Sequence, residues 1–479
     1  MVGQERFTRR TSGRILAAAT AAGLVACGGP AGPAGPKGGT GAEGRPGAPG
    51  PAGKTPVVLQ YIAPHLSGSV ELEKDTAQFT AFNQEFPHVT VELTPATPWA
   101  AVREKFITQA AAGTPAHLMQ HWDNWIGLAR GGVILELTDF FRVEKIDPGG
   151  VFLDQSVHQF GWQGRMFGFP VSVSSEQLMY NKALFAEEGL PAPPTDNEDK
   201  RWTMETFLEV AQKLTKPDGS QFGMLNRHGS FYCRGTWFGH AIWDDRQRKV
   251  MVSHPLWIQG QQFWMDLVHK YHVIPTPAQA GALTGGVANA FVAGKAAMAY
   301  TCCPHNNLKD VRGVFPAGMA TLPFSGWGTT GFTVHPGKNI SGGINTHALH
   351  VAKGLKPEEQ AAVFALFKWY LASPTHAGMM PPSNSHLIAP YKDPAYSRIP
   401  LEEFKALTGV DGSAAVLTTK YVDFPRDTAG MGKYLEFLDA DKLVQEDFAK
   451  AEANEMSARD LAARAQKVFE DARIGTQGL

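Results

Sequence analysis

Cysteine is scarce in this sequence, with 4 residues in a chain of 479. Cys27 lies near the N-terminus, and the others are Cys233, Cys302 and Cys303. So few cysteines exclude a dense disulfide framework. The two adjacent cysteines can pair with each other only through a strained ring. Either Cys233 bridges to one of them, or all three are buried thiols.

Net charge is also nearly absent, since 44 Lys and Arg residues face 45 Asp and Glu residues, which leaves a charge of -1. No overall field draws the chain to nucleic acid or to an anionic membrane, so we expect no nucleic-acid partner. After the first residues, no apolar stretch approaches the length of about 20 residues that a membrane-spanning helix needs. We expect a soluble body that is tethered only at its start.

Motifs of the common enzyme classes are missing as well. The sequence has no G-x-S-x-G, no phosphate-binding loop, no H-E-x-x-H and no dinucleotide glycine pattern. His117 and His121 are four residues apart, and His347 and His350 are three apart, but neither pair has a third ligand at the spacing of a metal site. The sequence therefore predicts no catalytic residue, no metal ion and no cofactor.

Residues 1–26 have the features of an export signal, because four arginines precede a modest apolar run. Leu24-Val25-Ala26-Cys27 resembles a bacterial lipobox, which predicts that Cys27 becomes the first mature residue and carries diacylglycerol. Arg9-Arg10 resembles a twin-arginine signal. The following Thr11-Ser12-Gly13 lacks the apolar residue of that pattern, so both Sec and twin-arginine export remain open.

Residues 29–53 carry glycine at every third position, with proline common between them. This is the Gly-X-Y repeat of collagen, in which only glycine fits at the axis of the triple helix. The run is short and poor in proline at its centre, so a triple helix would need another trimerising element. An extended monomeric spacer is favoured. We expect residues 27–55 to be a lipidated, collagen-like linker.

The folded part begins with alternating strands and helices. Residues 57–62 form an apolar run typical of a buried strand, 71–86 carry apolar residues at helical spacing, and 89–93 alternate like a strand. A second helix is predicted over 100–112. Strand, helix, strand is a βαβ unit, so we predict an α/β fold with ligands beyond the carboxyl ends of the strands.

Several longer segments follow in a characteristic order. The most recognisable are LMYNKALFAEEGL at 178–190 and FVAGKAAM at 291–298, and the others are ARGGVILELTDF at 129–140, GRMFGFP at 164–170, and the segments 201–214, 341–343 and 357–371. Together they resemble family 1 extracellular solute-binding proteins, the maltose-binding-protein-like group, over most of the chain after residue 56. In that family, 129–140 corresponds to a glycine turn and a leucine-rich strand, and 164–170 to a strand that crosses between lobes.

The resemblance implies a type II periplasmic-binding-protein-like fold, in which two α/β lobes are joined by crossing strands and close by hinge motion on a ligand in the cleft. Lobe one is expected at 56–168 plus 302–372, and lobe two at 169–301 plus 373–479. Within 178–190, Leu184 and Phe185 should face inward and Gly189 should end the helix in the left-handed conformation.

The first candidate ligand contacts lie in or after predicted strands of both lobes. Binding a polyol needs charged and amide groups for its hydroxyls and aromatic faces for the apolar side of the ring. Trp122, Asp123 and Asn124 occupy a loop in which the family supplies aromatic and acidic contacts. Trp125, in the same loop, belongs either to the site or to the core. The family often contributes polar contacts at Ser174 and Glu176, although Glu176 could equally be a solvated surface charge.

A second set of candidates lies later in the chain, and its aromatic members belong to the expected lobe two. Tyr232 and Trp237, with Trp243, form a candidate aromatic wall in a glycine-containing segment. His305 and Asn306 follow FVAGKAAM, at a place where the family commonly has an aromatic or polar contact. This sequence has no aromatic residue there, which puts simple transfer of that contact in doubt.

Two more candidates lie among glycines. Trp327 stands in Ser325-Gly326-Trp327-Gly328, a context more typical of a cleft lip than of a core. Gly343 could offer a backbone N–H to a ligand.

These features favour an exported substrate-binding lipoprotein of an ABC importer, anchored to the cell membrane through Cys27 and facing the periplasm or the cell exterior. Its expected partners are a small polar solute and the permease subunits, and the many aromatic residues favour a carbohydrate. Two other functions remain open: a surface-anchored carbohydrate-active enzyme with a carboxylate pair, and an adhesin on a trimeric collagen-like stalk. The fold does not choose the solute.

Overall fold

The structure is a computed structural model, which describes residues 55–65, 67, 69–175, 177–195, 199, 201–226, 242–244, 249–283, 287–301, 311–320, 344–378, 389–411, 434 and 437–474. The expected export signal, the Gly-X-Y segment and all four cysteines lie outside these residues.

The described strands alternate with helices along the chain, and most of them belong to two larger sheets. The strands are β1 (Val57–Ala63), β2 (Val89–Pro95), β3 (Leu118–His121), β4 (Gly161–Trp162), β5 (Arg165–Met166), β6 (Phe169–Ser175), β7 (Gln177–Asn181), β8 (Phe222–Asn226), β9 (Trp243–Asp244), β10 (Lys249–Val250), β11 (Ala296–Thr301), β12 (Ala317–Ala320) and β13 (Ile344–Val351).

The described helices range from single turns to four turns. They are α1 (Val70–Glu85), α2 (Trp99–Ala111), α3 (Trp125–Arg130), α4 (Thr138–Val143), α5 (Pro148–Val151), α6 (Asp154–Phe160), α7 (Lys182–Glu187), α8 (Met204–Lys213), α9 (Pro255–His269), α10 (Pro277–Ala282), α11 (Val287–Val292), α12 (Pro357–Ala372), α13 (Pro374–Gly378), α14 (Ala395–Thr408), α15 (Phe437–Glu452) and α16 (Ala458–Asp471).

The unit β1-α1-β2 confirms the predicted strand, helix and strand. The hydroxyl of Ser69 accepts a hydrogen bond from the Leu72 N–H at 3.2 Å, which caps the start of α1. Phe79 and Phe82 lie on the buried face of this helix. β1 and β2 then pair in parallel along their whole length.

The first sheet has the order β2-β1-β3-β13-β6. β1 pairs in parallel with β2 and β3, whereas β13 runs antiparallel to β3 and β6. α12 packs against β1, and its Leu366 and Phe367 are fully buried. This sheet and its helices share one apolar core, which also includes residues of α15 and α16.

The second sheet has the order β12-β7-β11-β8 and is covered on both faces. Successive residues of β7 point to opposite sides, so Leu178 packs with Trp264 on one face while Met179 packs with Phe291 on the other. Burial of both faces explains why the central residues of these strands are apolar. Two sheets with separate cores confirm the predicted two-lobe α/β fold.

The chain leaves the first sheet at the end of β6, Ser175, and enters the second at the start of β7, Gln177. Strand pairing puts β6 in the first sheet and β12 in the second. The expected lobe ranges assign 169–175 to lobe two and 317–320 to lobe one, so for these two strands the hydrogen bonding gives the opposite assignment. The numbered lobe boundaries otherwise stay a prediction.

Two smaller predictions about strands were wrong. The strand expected within 129–140 is a single bridge between Ile134 and Ala352, because the Leu137 N–H bonds to the carbonyl of Met166 and α4 begins one residue later. The crossing strand expected over 164–170 is divided into β5 and β6. The division lies at Gly168, where a Cβ atom would approach the Cβ of Ala348 to 2.7 Å.

The fold residues predicted in the second lobe are confirmed. Phe185 is buried and Leu184 packs against the same core. Gly189 has φ +63° and Gly294 has φ +69°, the left-handed conformation that lets each helix end before the following segment. Among the helices of the described segments, none combines the length and the apolar character needed to cross a bilayer.

Candidate functional site

The loop Trp122–Asn124 leaves the carboxyl end of β3 and leads into α3. Asn124 has φ +57°, a conformation that Asn adopts more readily than most residues, and it turns the chain into the helix. Gln159 on α6 holds the loop through two hydrogen bonds. Its side-chain amide donates to the Trp122 carbonyl at 2.8 Å, and its main-chain carbonyl accepts from Trp125 Nε1 at 2.8 Å. Three of the predicted contacts therefore lie together on an anchored loop.

The carboxylate of Asp123 is held by one of its two oxygens. Oδ1 accepts a hydrogen bond from Arg103 Nη1 at 2.8 Å and lies 3.0 Å from His121 Nδ1. The Asp123 side chain is 13% exposed. Within the described part of the chain no hydrogen bond reaches Oδ2, so this oxygen is available to accept a hydrogen bond from a ligand.

His121 supports the carboxylate from the core side and is 1% exposed. Its Nε2 lies 3.0 Å from the carbonyl of Trp99, which can only accept, so Nε2 carries a proton. The Nδ1 of the neutral ring then accepts from the Asp123 N–H at 3.2 Å. The buried ring therefore fixes the backbone of Asp123 through this hydrogen bond.

The tryptophans of the loop have different roles. Trp122 is half-buried, and its ring lies parallel to that of His121 at 6.3 Å. Trp125 is fully buried and stacks on Phe167 at 5.2 Å, so it belongs to the core. Trp243, considered for an aromatic wall, is also buried and packs against Tyr434. Trp122 thus offers the aromatic face of this loop.

Asn124 is 2% exposed, and its amide is used within the protein. In the orientation that gives both the oxygen and the nitrogen of the Asn124 amide a partner, the oxygen accepts from Arg103 Nη1 at 3.2 Å and the nitrogen donates to the Tyr434 carbonyl at 3.1 Å. Tyr434 precedes α15, which carries Asp441. Burial raises the pKa of Asp441, the hydrogen bond from Gln445 opposes this, and the charge of Asp123 raises the pKa further.

A buried polar cluster lies beneath the loop. Tyr61 donates to Gln120 at 2.8 Å, and the Gln120 amide lies 3.4 Å from Nδ1 of His347 on β13. Burial is the main cause that raises the pKa of Asp75, which lies 2.9 Å from His65 at the end of β1. A cavity of about 10 Å³, roughly the space of one water molecule, lies among polar side chains that include Tyr61, Asp75, Gln78, Gln120, Ser172 and Tyr370.

A larger cavity of about 570 Å³ lies beside the β4–β5 hairpin, a volume within the range of small-molecule sites. Gln163 and Gly164 form the hairpin turn with φ values of +50° and +75°. Arg165 lies over the Trp162 ring at 5.3 Å and is 3.5 Å from Glu136. The cavity is lined by Asp147, Pro148, Gly149, Val157, His158, Gly161, Trp162, Gln163, Gly164, Arg165, Met166 and Tyr434.

The histidines of the two pairs make hydrogen bonds within the protein. His117 Nδ1 accepts from the Gln60 N–H at 2.9 Å, and burial lowers the pKa of His117 against the opposing effect of Glu359. His350 bonds to the Phe167 carbonyl at 2.8 Å, and burial lowers its pKa to about 4. Across the described ranges no group of three or more His, Cys, Asp or Glu side chains is arranged to hold a metal ion.

Every ligand contact predicted from the sequence, including those at Trp122, Asp123 and Asn124, stays a prediction. Ser174 lies on β6 opposite Asn345 of β13, and its side chain is not described. The remaining candidates lie outside the described residues: Glu176, Tyr232, Trp237, His305, Asn306, Trp327 and Gly343. Sequence reasoning missed Arg103, Trp99 and Tyr434. The hairpin around Trp162 could have been recognised from its Gln163-Gly164 turn.

Comparison with known proteins identifies the family. The family model of bacterial extracellular solute-binding proteins matches residues 68–375, more than half of the chain. A protein of Brucella abortus named as a binding protein is 22% identical over 259 residues, which are 52% of this chain and 60% of the relative. The match therefore spans less than two thirds of that relative.

Two solved structures have the same fold. An ABC substrate-binding protein from Listeria monocytogenes in complex with cycloalternan superposes with a TM-score of 0.67 and 18% identity, covering 87% of this chain and 99% of its own. UgpB from Mycobacterium tuberculosis in complex with glycerophosphocholine superposes with a TM-score of 0.66 and 18% identity, covering 88% of this chain and 98% of its own. The family consists of binding proteins rather than enzymes. This chain, with two α/β lobes and a family match from residue 68 to residue 375, belongs to the bacterial extracellular solute-binding proteins.

Proposed function

We propose that the protein captures a carbohydrate in its cleft and delivers it to the permease subunits of an ABC importer. The observation that carries this proposal is the pair Trp122 and Asp123. A half-buried indole stands beside a carboxylate that has one oxygen without a protein partner among the described residues. A sugar ring has an apolar face for the first and hydroxyl donors for the second.

The charges around Asp123 favour a neutral, donor-rich solute. Oδ2 can only accept, so it binds a hydroxyl or an ammonium group and repels a phosphate or carboxylate. Arg103 compensates the charge of Asp123 through Oδ1, which leaves less attraction for a cation. A hydroxylated solute therefore suits the loop better than an anion or a simple cation.

The relatives support the class of solute without choosing it. The Listeria protein of the same fold binds cycloalternan, which agrees with a carbohydrate here. UgpB binds glycerophosphocholine on the same fold. Because one scaffold accepts both, the side chains must decide, and Trp122 with Asp123 favours the sugar.

The second wall of the cleft is proposed from the sequence. Tyr232 and Trp237 would supply further aromatic faces, and His305, Asn306, Trp327 and Gly343 would supply polar or lip contacts. Ser174 and Glu176 would add polar contacts from the strand between the lobes. Closure of the lobes would bring Tyr232 and Trp237 to a solute held on the loop of Trp122 and Asp123.

Export and anchoring belong to the same proposal. Residues 1–26 would direct export, Cys27 would carry the lipid, and 29–53 would space the lobes from the membrane. The lipobox-like motif and the glycine repeat support this arrangement. Membership of an extracellular family agrees with it.

The test is thermal unfolding and titration calorimetry with cycloalternan, maltotriose, glycerophosphocholine and spermidine. A solute at 100 times its Kd stabilises the native state by about 2.7 kcal/mol. We expect a carbohydrate to raise the Tm, and Trp122→Ala to abolish the rise while the Tm without solute stays within about 2 °C. A response to glycerophosphocholine or spermidine alone would contradict the proposal.

Trp162→Ala distinguishes the two candidate sites, because Trp162 is also half-buried but lines the cavity of about 570 Å³ beside the β4–β5 hairpin. Loss of carbohydrate binding in Trp162→Ala with full binding in Trp122→Ala would move the site to the hairpin. The opposite result keeps it at the loop.

A further inference from the structure

Arg103 on α2 joins two side chains of the ligand loop. Its Nη1 donates to Asp123 Oδ1 at 2.8 Å and to the Asn124 amide oxygen at 3.2 Å. The Arg103 side chain is 15% exposed, so water competes weakly for these bonds. Val102 and Phe106 are buried in the core and fix the helix that presents the guanidinium.

Asn124 extends this contact toward the C-terminal part of the chain. Its amide nitrogen donates to the Tyr434 carbonyl at 3.1 Å. The same carbonyl accepts from the Phe437 N–H at 3.3 Å, at the start of α15. A continuous series of hydrogen bonds thus runs from Asp123 through Arg103 and Asn124 to the segment that begins α15.

We propose that Arg103 and Asn124 are positioning residues that couple the Asp123 carboxylate to the position of Tyr434 and of the start of α15 at Phe437. The proposal rests on the proposed function, in which Asp123 contacts the solute. Nη1 is shared between Asp123 and Asn124, so a displacement of Tyr434 that moves the Asn124 amide also changes how Arg103 holds Asp123. Coupling is reciprocal, so a solute that fixes Asp123 stabilises one position of the segment.

The residue type at position 124 fits this role. Asn tolerates the left-handed backbone, and its amide supplies one acceptor for the guanidinium and one donor for the carbonyl. An aspartate in its place would keep the acceptor and lose the donor. Because the side chain is buried and both groups are used, Asn124 acts on Asp123 through Arg103 rather than on the solute itself.

Hydrogen exchange of the whole protein without any solute tests the coupling. In Arg103→Met and Asn124→Asp, we expect exchange at least about tenfold faster both in 118–130 and in 437–452. Asn124→Gly, which keeps the left-handed backbone but lacks the amide, should give the same pattern. Arg103→Lys should restore part of the protection in both segments, because an ammonium can replace the two contacts of Nη1.

Arg142→Met is the matched control, since Arg142 forms an exposed ion pair with Asp139 away from the loop. It should leave both segments unchanged. Faster exchange confined to 118–130, or no rescue by Lys, would overturn the coupling and leave Arg103 as a local support of the loop. No solute enters this experiment, so a failure of carbohydrate binding would count against the proposed function alone.

Discussion

Asp441 and Asp123 come from distant parts of the chain and place two carboxyl groups near one another, one on α15 and one after β3. Burial raises the pKa of Asp441, the Gln445 hydrogen bond opposes it, and the charge of Asp123 adds to the increase. The deprotonated form of Asp441 is therefore disfavoured in the folded protein. The loop Trp122–Asn124 and α15 thus meet with an electrostatic cost.

We expect Asp441→Asn to stabilise the protein at neutral pH. A carboxyl whose pKa is raised by folding destabilises the native state once pH rises through the folded pKa, and it has no such effect below the unfolded value of about 3.9. Urea unfolding at pH 7 and at pH 3.5 checks the sign: the gain at pH 7 should vanish at the lower pH. Asp439→Asn, on an exposed position of the same helix, should give no gain at either pH.

The two tryptophans of the ligand loop should respond differently to truncation. Trp125 is fully buried, so Trp125→Ala should cost about 3–5 kcal/mol in the free energy of unfolding. Trp122→Ala should cost less than about 1 kcal/mol but weaken carbohydrate binding at least tenfold. Denaturant unfolding and calorimetry measure the two effects. A large loss of stability in Trp122→Ala would mean that its indole belongs to the core.

Trp237→Ala tests whether the proposed second wall contacts the solute or belongs to the core. We expect it to weaken carbohydrate binding while the midpoint of thermal unfolding stays nearly unchanged. Trp264→Ala, a fully buried tryptophan of the second lobe, provides the contrast, with an expected loss of about 3–5 kcal/mol. If Trp237→Ala loses as much stability, the predicted wall is a core instead.

The features that the sequence predicts well depend on neighbours along the chain. The βαβ unit follows from apolar spacing within 57–93, and the cap at Gly189 follows from a backbone preference of glycine. Trp122 and Asp123 were proposed as ligand contacts because their loop corresponds to one that supplies contacts in the family, and that role stays a prediction.

The features that the sequence misses depend on distant partners. Arg103 is typical of an exposed helix residue until the fold brings it to Asp123. The segment around Ile134 has the apolar residues of a strand, but the Leu137 N–H finds its partner at Met166 and the chain turns away. Tyr434 contacts Asn124 only because α15 and α16 return to the core of the first sheet.

His350 makes stability depend on pH. Burial lowers its pKa from 6.5 to about 4, so the native state holds the neutral ring while the unfolded chain protonates first. Its contribution is complete above pH 6.5 and declines as pH falls toward 4. Between pH 7 and pH 5 we expect this group to cost about 2 kcal/mol.

His350→Gln should remove that part of the pH dependence, whatever it does to stability at pH 7. Urea unfolding of both proteins at pH 7 and pH 5 gives the difference. His272→Asn is the control, because His272 is exposed and its positive φ suits Asn. An unchanged slope in His350→Gln would mean that other groups cause the dependence.

Gly168 stands where the chain between β5 and β6 passes β13 most closely. A Cβ atom there would lie 2.7 Å from the Ala348 Cβ and 3.1 Å from the His350 Cε1. Neither neighbour can move away without shifting β13, so Gly168→Ala should cost about 1–3 kcal/mol. The same shift disturbs β6, which leads directly into the second sheet. Carbohydrate affinity should therefore fall although Gly168 is not a proposed ligand contact.

Gly164→Ala separates crowding from backbone strain. Gly164 has φ +75°, and a Cβ atom there would meet no heavy atom of the described segments within 4 Å, so its substitution strains only the hairpin turn. We expect a loss of about 1 kcal/mol in Gly164→Ala with unchanged affinity. If Gly168→Ala binds carbohydrate like the wild type, the approach of β6 to β13 does not control the cleft, and the hinge must lie in other segments.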